Sequence, residues 1–320
     1  MSHVQVGHIQ VSHIQESNIV SDVTQSPSSE QTPSAQPSTA SLASVPQEIR
    51  LIVLDLDGTT VGETNEIQPV VKQAIQAVRQ KGVQVAIATG RMYRSALRFY
   101  QDLDLNLPLM AYQGAYIKSP GTDELHRHLT VPKSQVMELL DLLLQPDLQE
   151  TLSVHLYIDD NLYVQEERAE TRDYAERSQV QPIPVGDFRQ FLKAEPTKIL
   201  ALSEDIDLID RLLTSLKTRY TTTELYLTKS VDTFLEATHP LVNKGTAVQY
   251  LAEELLGLTA ANVMTIGDNF NDLEMIEYAG IGVAMGSAPD RVKSFANWVA
   301  PTVEADGVAA AIEEFVLSQL

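Results

Sequence analysis

Residues 51–60, LIVLDLDGTT, run four consecutive apolar side chains straight into two aspartates one residue apart and then a Gly-Thr-Thr turn. With nothing polar among them, Leu51 to Leu54 read as a strand buried on both faces rather than one with a wet side. Unpaired negative charge at the end of such a strand costs several kcal/mol unless something offsets it. A metal ion is the expected partner of Asp55 and Asp57.

The same form recurs along the chain. IQPVVKQAIQAVRQKG places Ile67, Val70, Val71, Ile75 and Val78 at helical spacing and stops at a glycine. VQVAIATG then runs apolar into the polar tip Thr89-Gly90-Arg91, followed by the helix MYRSALRFYQDLDL and a third apolar strand, LPLMAYQGAYI. Near the far end, NVMTIGDNFNDLEMIEYAG is again strand, acidic tip and helix. IGVAMGSAPDRVKSFA repeats the form, and NWVA with VAAAIEEFVL closes as strand and helix. Strands of this kind alternating with helices imply an α/β fold with a doubly wound parallel sheet, whose ligands sit beyond the carboxyl ends of the strands.

Between the two halves the pattern changes. Short alternating strands such as SVHLYIDDNLYVQ, PTKILALS and ELYLTKS interleave with the helices KSQVMELLDLLL and DLIDRLLTSLK, which an inserted α+β module accounts for. The expected organisation is a tail over residues 1–46, a core formed by 47–117 and 236–320, and an insert over 118–235. The tail is Ser, Gln, Thr and Pro with few large apolar groups, too little to offset the entropy of ordering. Its His3, His8 and His13, five apart, suggest a metal tract less readily than a solvated segment.

At 320 residues and 43% hydrophobic, the chain has the length and the apolar content for two cores. A formal net charge of -20 argues against a nucleic-acid backbone or an anionic membrane surface as partner. The absence of cysteine excludes disulfides, thiolate metal sites and cysteine nucleophiles. No apolar run has signal-peptide or membrane-span length and no Lys or Arg precedes Arg50, so a cytoplasmic location is expected.

In a parallel sheet the polar tips meet at one edge. Asp55 and Asp57 end the first strand, Thr89 the second and Asp268 a later one, with Asn271 and Asp272 in the following turn; Lys244 opens the helix in LVNKGTAVQYLAEELL. Oxygen ligands alone, without His or Cys, suit a hard cation such as Mg²⁺, which keeps several waters and bridges to phosphate oxygens. The expected chemistry is phosphoryl transfer.

DLDGTT, ATGR, NKG and GDNFND, in that order and at these separations, resemble the four motifs of the haloacid dehalogenase superfamily, and within it the Cof-type (IIB) phosphatases with a large inserted cap. The resemblance spans the chain from about Ile49 to the C-terminus, and GVAMGSA and ADGVAAAI add to it. It implies a Rossmann-like core with an α+β cap and a Mg²⁺-dependent phosphatase acting on a small phosphorylated metabolite. It also implies roles for individual residues. Asp55 would be the nucleophile that forms an aspartyl-phosphate, and Asp57 the general acid and base. Leu56, Thr89, Gly90, Lys244 and Asn271 would bind the phosphate. The Asp55 carboxylate, the Asp57 backbone carbonyl and Asp268 would hold the metal, supported from behind by Asp272.

Taken singly, each motif has a plainer reading: a strand-end turn, a helix start, a capped helix or a solvated lysine. A phosphomutase would use the same two aspartates, and a receiver-like signalling module pairs acidic residues, Thr and Lys around Mg²⁺. The chain departs from the family at Thr60, where Leu is common, and at Gln113-Gly114-Ala115, where Asn-Gly-Ala is usual; neither is expected to touch the chemistry. Arg91 reads either as a functional residue or as a helix-start partner for acidic neighbours. In the insert, His126 and His128 read as an exposed strand edge, while His155, Tyr157 and Asp159 share a strand face as candidate substrate contacts. The substrate, the cap contacts and the oligomeric state are not legible in the sequence.

Overall fold

The computed structural model describes residues 48–318, so the expected tail and its three histidines lie outside the described residues. In chain order the strands are β1 (Leu51–Leu54), β2 (Gln84–Ile87), β3 (Leu109–Ala111), β4 (Tyr116–Lys118), β5 (Leu125–His128), β6 (Ser153–Ile158) and β7 (Asn161–Val164). They continue as β8 (Pro182–Pro184), β9 (Lys198–Leu202), β10 (Tyr226–Thr228), β11 (Phe234–Thr238), β12 (Val263–Gly267), β13 (Ile281–Ala284) and β14 (Trp298–Val299).

Every residue of β1 is buried, and its side chains divide between two apolar layers. Ile52 and Leu54 pack with Val71, Ile75 and Val78 of the helix Pro69–Gln80 and with Val308 and Ile312 of the helix Gly307–Ile312. Leu51 and Val53 face the other way, onto Ala247 and Val248 of the helix Lys244–Gln249. Each such side chain contributes roughly 2 kcal/mol by burial, which is why a continuous apolar run is stable only with helices on both sides.

The core sheet has the order β14-β13-β12-β1-β2, with every pair parallel. The chain leaves β1 toward β2 but leaves β12 toward β13, so the order reverses between two neighbours. Ligands of open α/β sheets bind outside that point. Asp55 follows β1 and Asp268 follows β12.

LPLMAYQGAYI, expected as one strand, is two. β3 ends at Ala111, left-handed φ values at Tyr112 (53°), Gln113 (60°) and Gly114 (92°) reverse the chain, and β4 returns antiparallel. β5 pairs with β4, so this three-stranded sheet stays beside the core. A separate sheet of order β10-β11-β9-β6-β7-β8 forms the insert. The expected insert start at residue 118 falls inside β4 and the expected end at 235 inside β11, which pairs with β9 through Ala237. Alternation splits the insert's strands cleanly. Val154, Leu156, Ile199, Ala201, Leu235 and Ala237 pack under the helices Lys133–Leu143 and Ile206–Arg219. Lys198, Phe234 and Glu236 stand on the opposite face and border the cavity described next.

Candidate active site

Asp55 and Lys244 form the centre of the site. Lys244 is wholly buried at the start of its helix, where the Asn243 side chain accepts from the Thr246 N–H at 2.7 Å and caps it. Its Nζ donates to Asp55 Oδ1 at 2.5 Å and to Asp272 Oδ1. Asp272 in turn accepts the N–H groups of Asp268 at 2.8 Å and Asn269 at 3.0 Å with its second oxygen, fixing the turn after β12. Asp268 accepts only the Thr59 hydroxyl, at 2.9 Å, among the described side chains. Gly58 lets the two loops approach: at φ 81°, a Cβ there would lie 2.4 Å from Asp268 Oδ2.

Asp57 turns away from this cluster. Arg91 grips its carboxylate with two donors, Nε at 2.7 Å and one guanidinium nitrogen at 2.6 Å, while Arg177 of the insert lies 3.7 Å away. Arg91, open to two readings in the sequence, is therefore a bidentate partner of Asp57.

A cavity of about 390 Å³ lies between the core loops and the insert. Of the expected site residues, Asp55, Asp57, Gly90, Asp268 and Asn271 line it. Leu56, Thr89, Lys244 and Asp272 lie beneath the wall and are buried. The Leu56 carbonyl accepts the N–H groups of Thr60 and Val61, and the Thr89 hydroxyl accepts the Arg91 N–H at 3.1 Å, so both shape the loops.

Both departures from the family pattern hydrogen-bond to residues of the site. The Thr60 hydroxyl donates to the Asp55 carbonyl at 2.6 Å. Gln113, wholly buried, accepts from Asn271 at 3.2 Å and donates to Glu236 at 3.1 Å. Glu236 also accepts from Lys198 at 3.2 Å and from Ser230, and Lys198 donates to the Gly90 carbonyl at 2.8 Å. This chain of bonds joins insert to core, and sequence reasoning missed Lys198, Glu236 and Arg177. The available signal was a single charge inside each of two otherwise apolar strands, TKILAL and TFLEAT.

The other insert candidates do something else. His155 is wholly buried and bonds Thr171 at 3.0 Å, and Tyr157 packs on Tyr112 with centroids 5.7 Å apart; neither lines the cavity. Asp159 lies past the end of β6, in a turn with φ 50°. His126 and His128 bond Ser119 and Thr197, as suits a strand edge.

Burial pushes the Asp55 carboxyl well up, and nearby Asp272 and Asp268 add to this against the opposing pull of Lys244. Burial and Asp272 likewise raise Asp268 to about 7. Lys244 is held charged because its two carboxylate partners outweigh its burial. Burial also works to raise Asp57, but the hydrogen bonds and charge of Arg91 win and hold it below the usual carboxylate range. Carboxylate oxygens of Asp55, Asp268 and Asp272 lie within 4.8 Å of one another with one lysine among them. A donor set of oxygens only, carrying more negative charge than its lysine offsets, fits a hard divalent cation.

The family model for haloacid dehalogenase-like hydrolases matches residues 52–312. The chain is 31% identical to the 5-amino-6-(5-phospho-D-ribitylamino)uracil phosphatase YitU of Bacillus subtilis, over 83% of this chain and 97% of that one. It is 27% identical to the pyridoxal phosphate phosphatase YbhA of Escherichia coli, over 85% and 98%. A haloacid dehalogenase-like hydrolase of Bacteroides thetaiotaomicron superposes with a TM-score of 0.72 at 26% identity, covering 83% of this chain and 99% of the other.

Proposed function

The chain belongs to the haloacid dehalogenase-like hydrolase family, in its Cof-type branch, and is a phosphatase of small phosphorylated substrates; on that premise we propose a Mg²⁺-dependent monoesterase working through an aspartyl-phosphate on Asp55. One observation carries the reading. Four separate segments bring Asp55 and Asp57, Gly90, Lys244 and the Asp268–Asp272 turn to the switch point of one sheet.

The Asp55 carboxylate, the Asp57 carbonyl and Asp268 would hold the cation, which when bound withdraws charge from the phosphoryl oxygens. Asp55 attacks phosphorus, forming the carboxyl O–P bond as the ester P–O bond breaks. Lys244 orients Asp55 and offsets part of the charge gathered at the site. Asp57 gives a proton to the departing alcohol, then takes one from the water that attacks the aspartyl-phosphate, returning Asp55 and free phosphate. Because Asp57 is paired to Arg91 and ionised, this pair must open as the ester enters and the freed carboxylate must take up a proton from solvent before it can give one to the alcohol. The insert acts as the cap that selects the alcohol. The printed activities of YitU and YbhA, each on a small phosphate ester, support that substrate size.

The test is phosphate release from a panel of small phosphate esters, with Mg²⁺ or with chelator, for the full chain and for Asp55→Asn. Release that needs both Asp55 and the cation supports the reading. Release undiminished in Asp55→Asn sinks it.

A further inference from the structure

The cavity has two ends of different chemistry. At the core end stand the carboxylates. At the cap end Tyr174 and Phe234 meet edge to face, with centroids 5.8 Å apart, and Val231 lies in the same wall. Two charged groups of the lining, Glu236 and Lys198, are already engaged. Glu236, 1% exposed, accepts from Lys198, Gln113 and Ser230, and Lys198, 3% exposed, also donates to the Gly90 carbonyl. Arg91 and Arg177 both face Asp57. Ser178 and Thr233 bring hydroxyls whose side chains hydrogen-bond no other described residue.

This division constrains the alcohol of the ester. A sugar or other polyol brings many hydroxyls, and each one left without a partner in a closed site costs affinity. The cap end offers few uncommitted partners. A planar ring, by contrast, gains from aromatic edges and faces without asking for hydrogen bonds. A cavity of about 390 Å³ has room for a phosphate and a ring system of metabolite size.

Resting on the phosphatase reading above, we infer that the substrate is a phosphate monoester whose alcohol carries a planar aromatic ring, held against Tyr174 and Phe234. Tyr174 and Phe234 are thus specificity residues, with no part in the bond-making steps.

The experiment measures phosphate release by the full chain with Mg²⁺ on two ring-bearing esters, pyridoxine 5′-phosphate and uridine 5′-monophosphate, and two aliphatic ones, glucose 6-phosphate and glycerol 3-phosphate. Wild type should prefer the ring-bearing pair by about tenfold or more in kcat/KM, the order of one aromatic contact. Tyr174→Leu and Phe234→Leu should each remove about that tenfold, through KM, and leave the aliphatic pair nearly unchanged. Tyr174→Phe should keep the preference, which separates ring contact from cap folding. Aliphatic esters turned over as well as the ring-bearing pair, or an equal fall for both classes in the leucine variants, would overturn the inference while leaving the phosphatase reading intact. Release from none of the four by a folded chain overturns both.

Discussion

In the core, the carboxylates of the site stand on turns just past the ends of β1 and β12, and its lysine at the start of a helix; in the cap, Lys198 and Glu236 stand on strands, among apolar neighbours. A turn-borne carboxylate needs no place in the sheet and can share a cation with its neighbours. A strand-borne charge is carried into the sandwich by the register of its strand and must be neutralised there, as Lys198 and Glu236 neutralise each other at 3.2 Å. The core thus presents a charge-dense site whose deficit a cation can cover, while the cap presents a balanced surface with an aromatic end.

The contrast can be broken at its strongest point with Lys244→Ala. Three carboxylates would then crowd within 4.8 Å without their lysine. We expect kcat/KM to fall roughly 10³-fold and stability by about 3–5 kcal/mol, read by phosphate release and urea unfolding. A rate within a few-fold of wild type would deny the lysine its place in the chemistry. Next is Lys198→Met, which strands Glu236 at 1% exposure. Stability should drop by about 3 kcal/mol, and most of it should return in the double variant Lys198→Met, Glu236→Leu, where no buried charge remains. No recovery in the double variant would mean that the pair is more than a balanced charge.

His155 sharpens the picture of the cap by pH. Burial drives its pKa from 6.5 to about 3. Below pH 6.5 the unfolded chain takes a proton that the folded cap refuses, so stability is level above that pH and declines as the pH falls toward 3. At pH 5 the loss is about 2 kcal/mol, and His155→Phe should flatten that part of the curve. An unchanged slope in the variant would show that other groups govern the acid limb. The smallest effect belongs to Gln113→Asn, which shortens the bridge between Asn271 and Glu236. A loss of about 1 kcal/mol, or roughly fivefold in kcat/KM, is expected, and a silent variant would remove Gln113 from the network.

Legibility in the sequence followed the same division. Asp55, Asp57 and Asp268 announce themselves because an apolar run ending in carboxylates has few physical explanations, and the parallel sheet that follows from such runs brings them together. The cap gave no such sign. His155 and Lys198 share one face of the second sheet, but Thr171 and Tyr174 of the helix Ala169–Ser178 cover His155, and which residues of that face a helix hides is a tertiary fact. His155 therefore read as a candidate contact and proved to be a buried structural residue. The contacts of Thr60 and Gln113 were hidden for a related reason: one donates to the Asp55 backbone and the other bridges Asn271 and Glu236 across a cap–core seam, and neither partnership leaves a local pattern. The split of β3 from β4 rests on three left-handed residues, of which Gly114 suits that conformation but Tyr112 and Gln113 do not advertise it.

The account turns on Asp55 as nucleophile, and the most direct measurement is an acid quench of the full chain during turnover of a ring-bearing phosphate ester with Mg²⁺, followed by peptide mass analysis. One phosphoryl group on the peptide that carries Asp55, absent in Asp55→Asn, is the predicted result. Steady turnover with no phosphoryl peptide at any quench time, together with activity retained in Asp55→Asn, would contradict it.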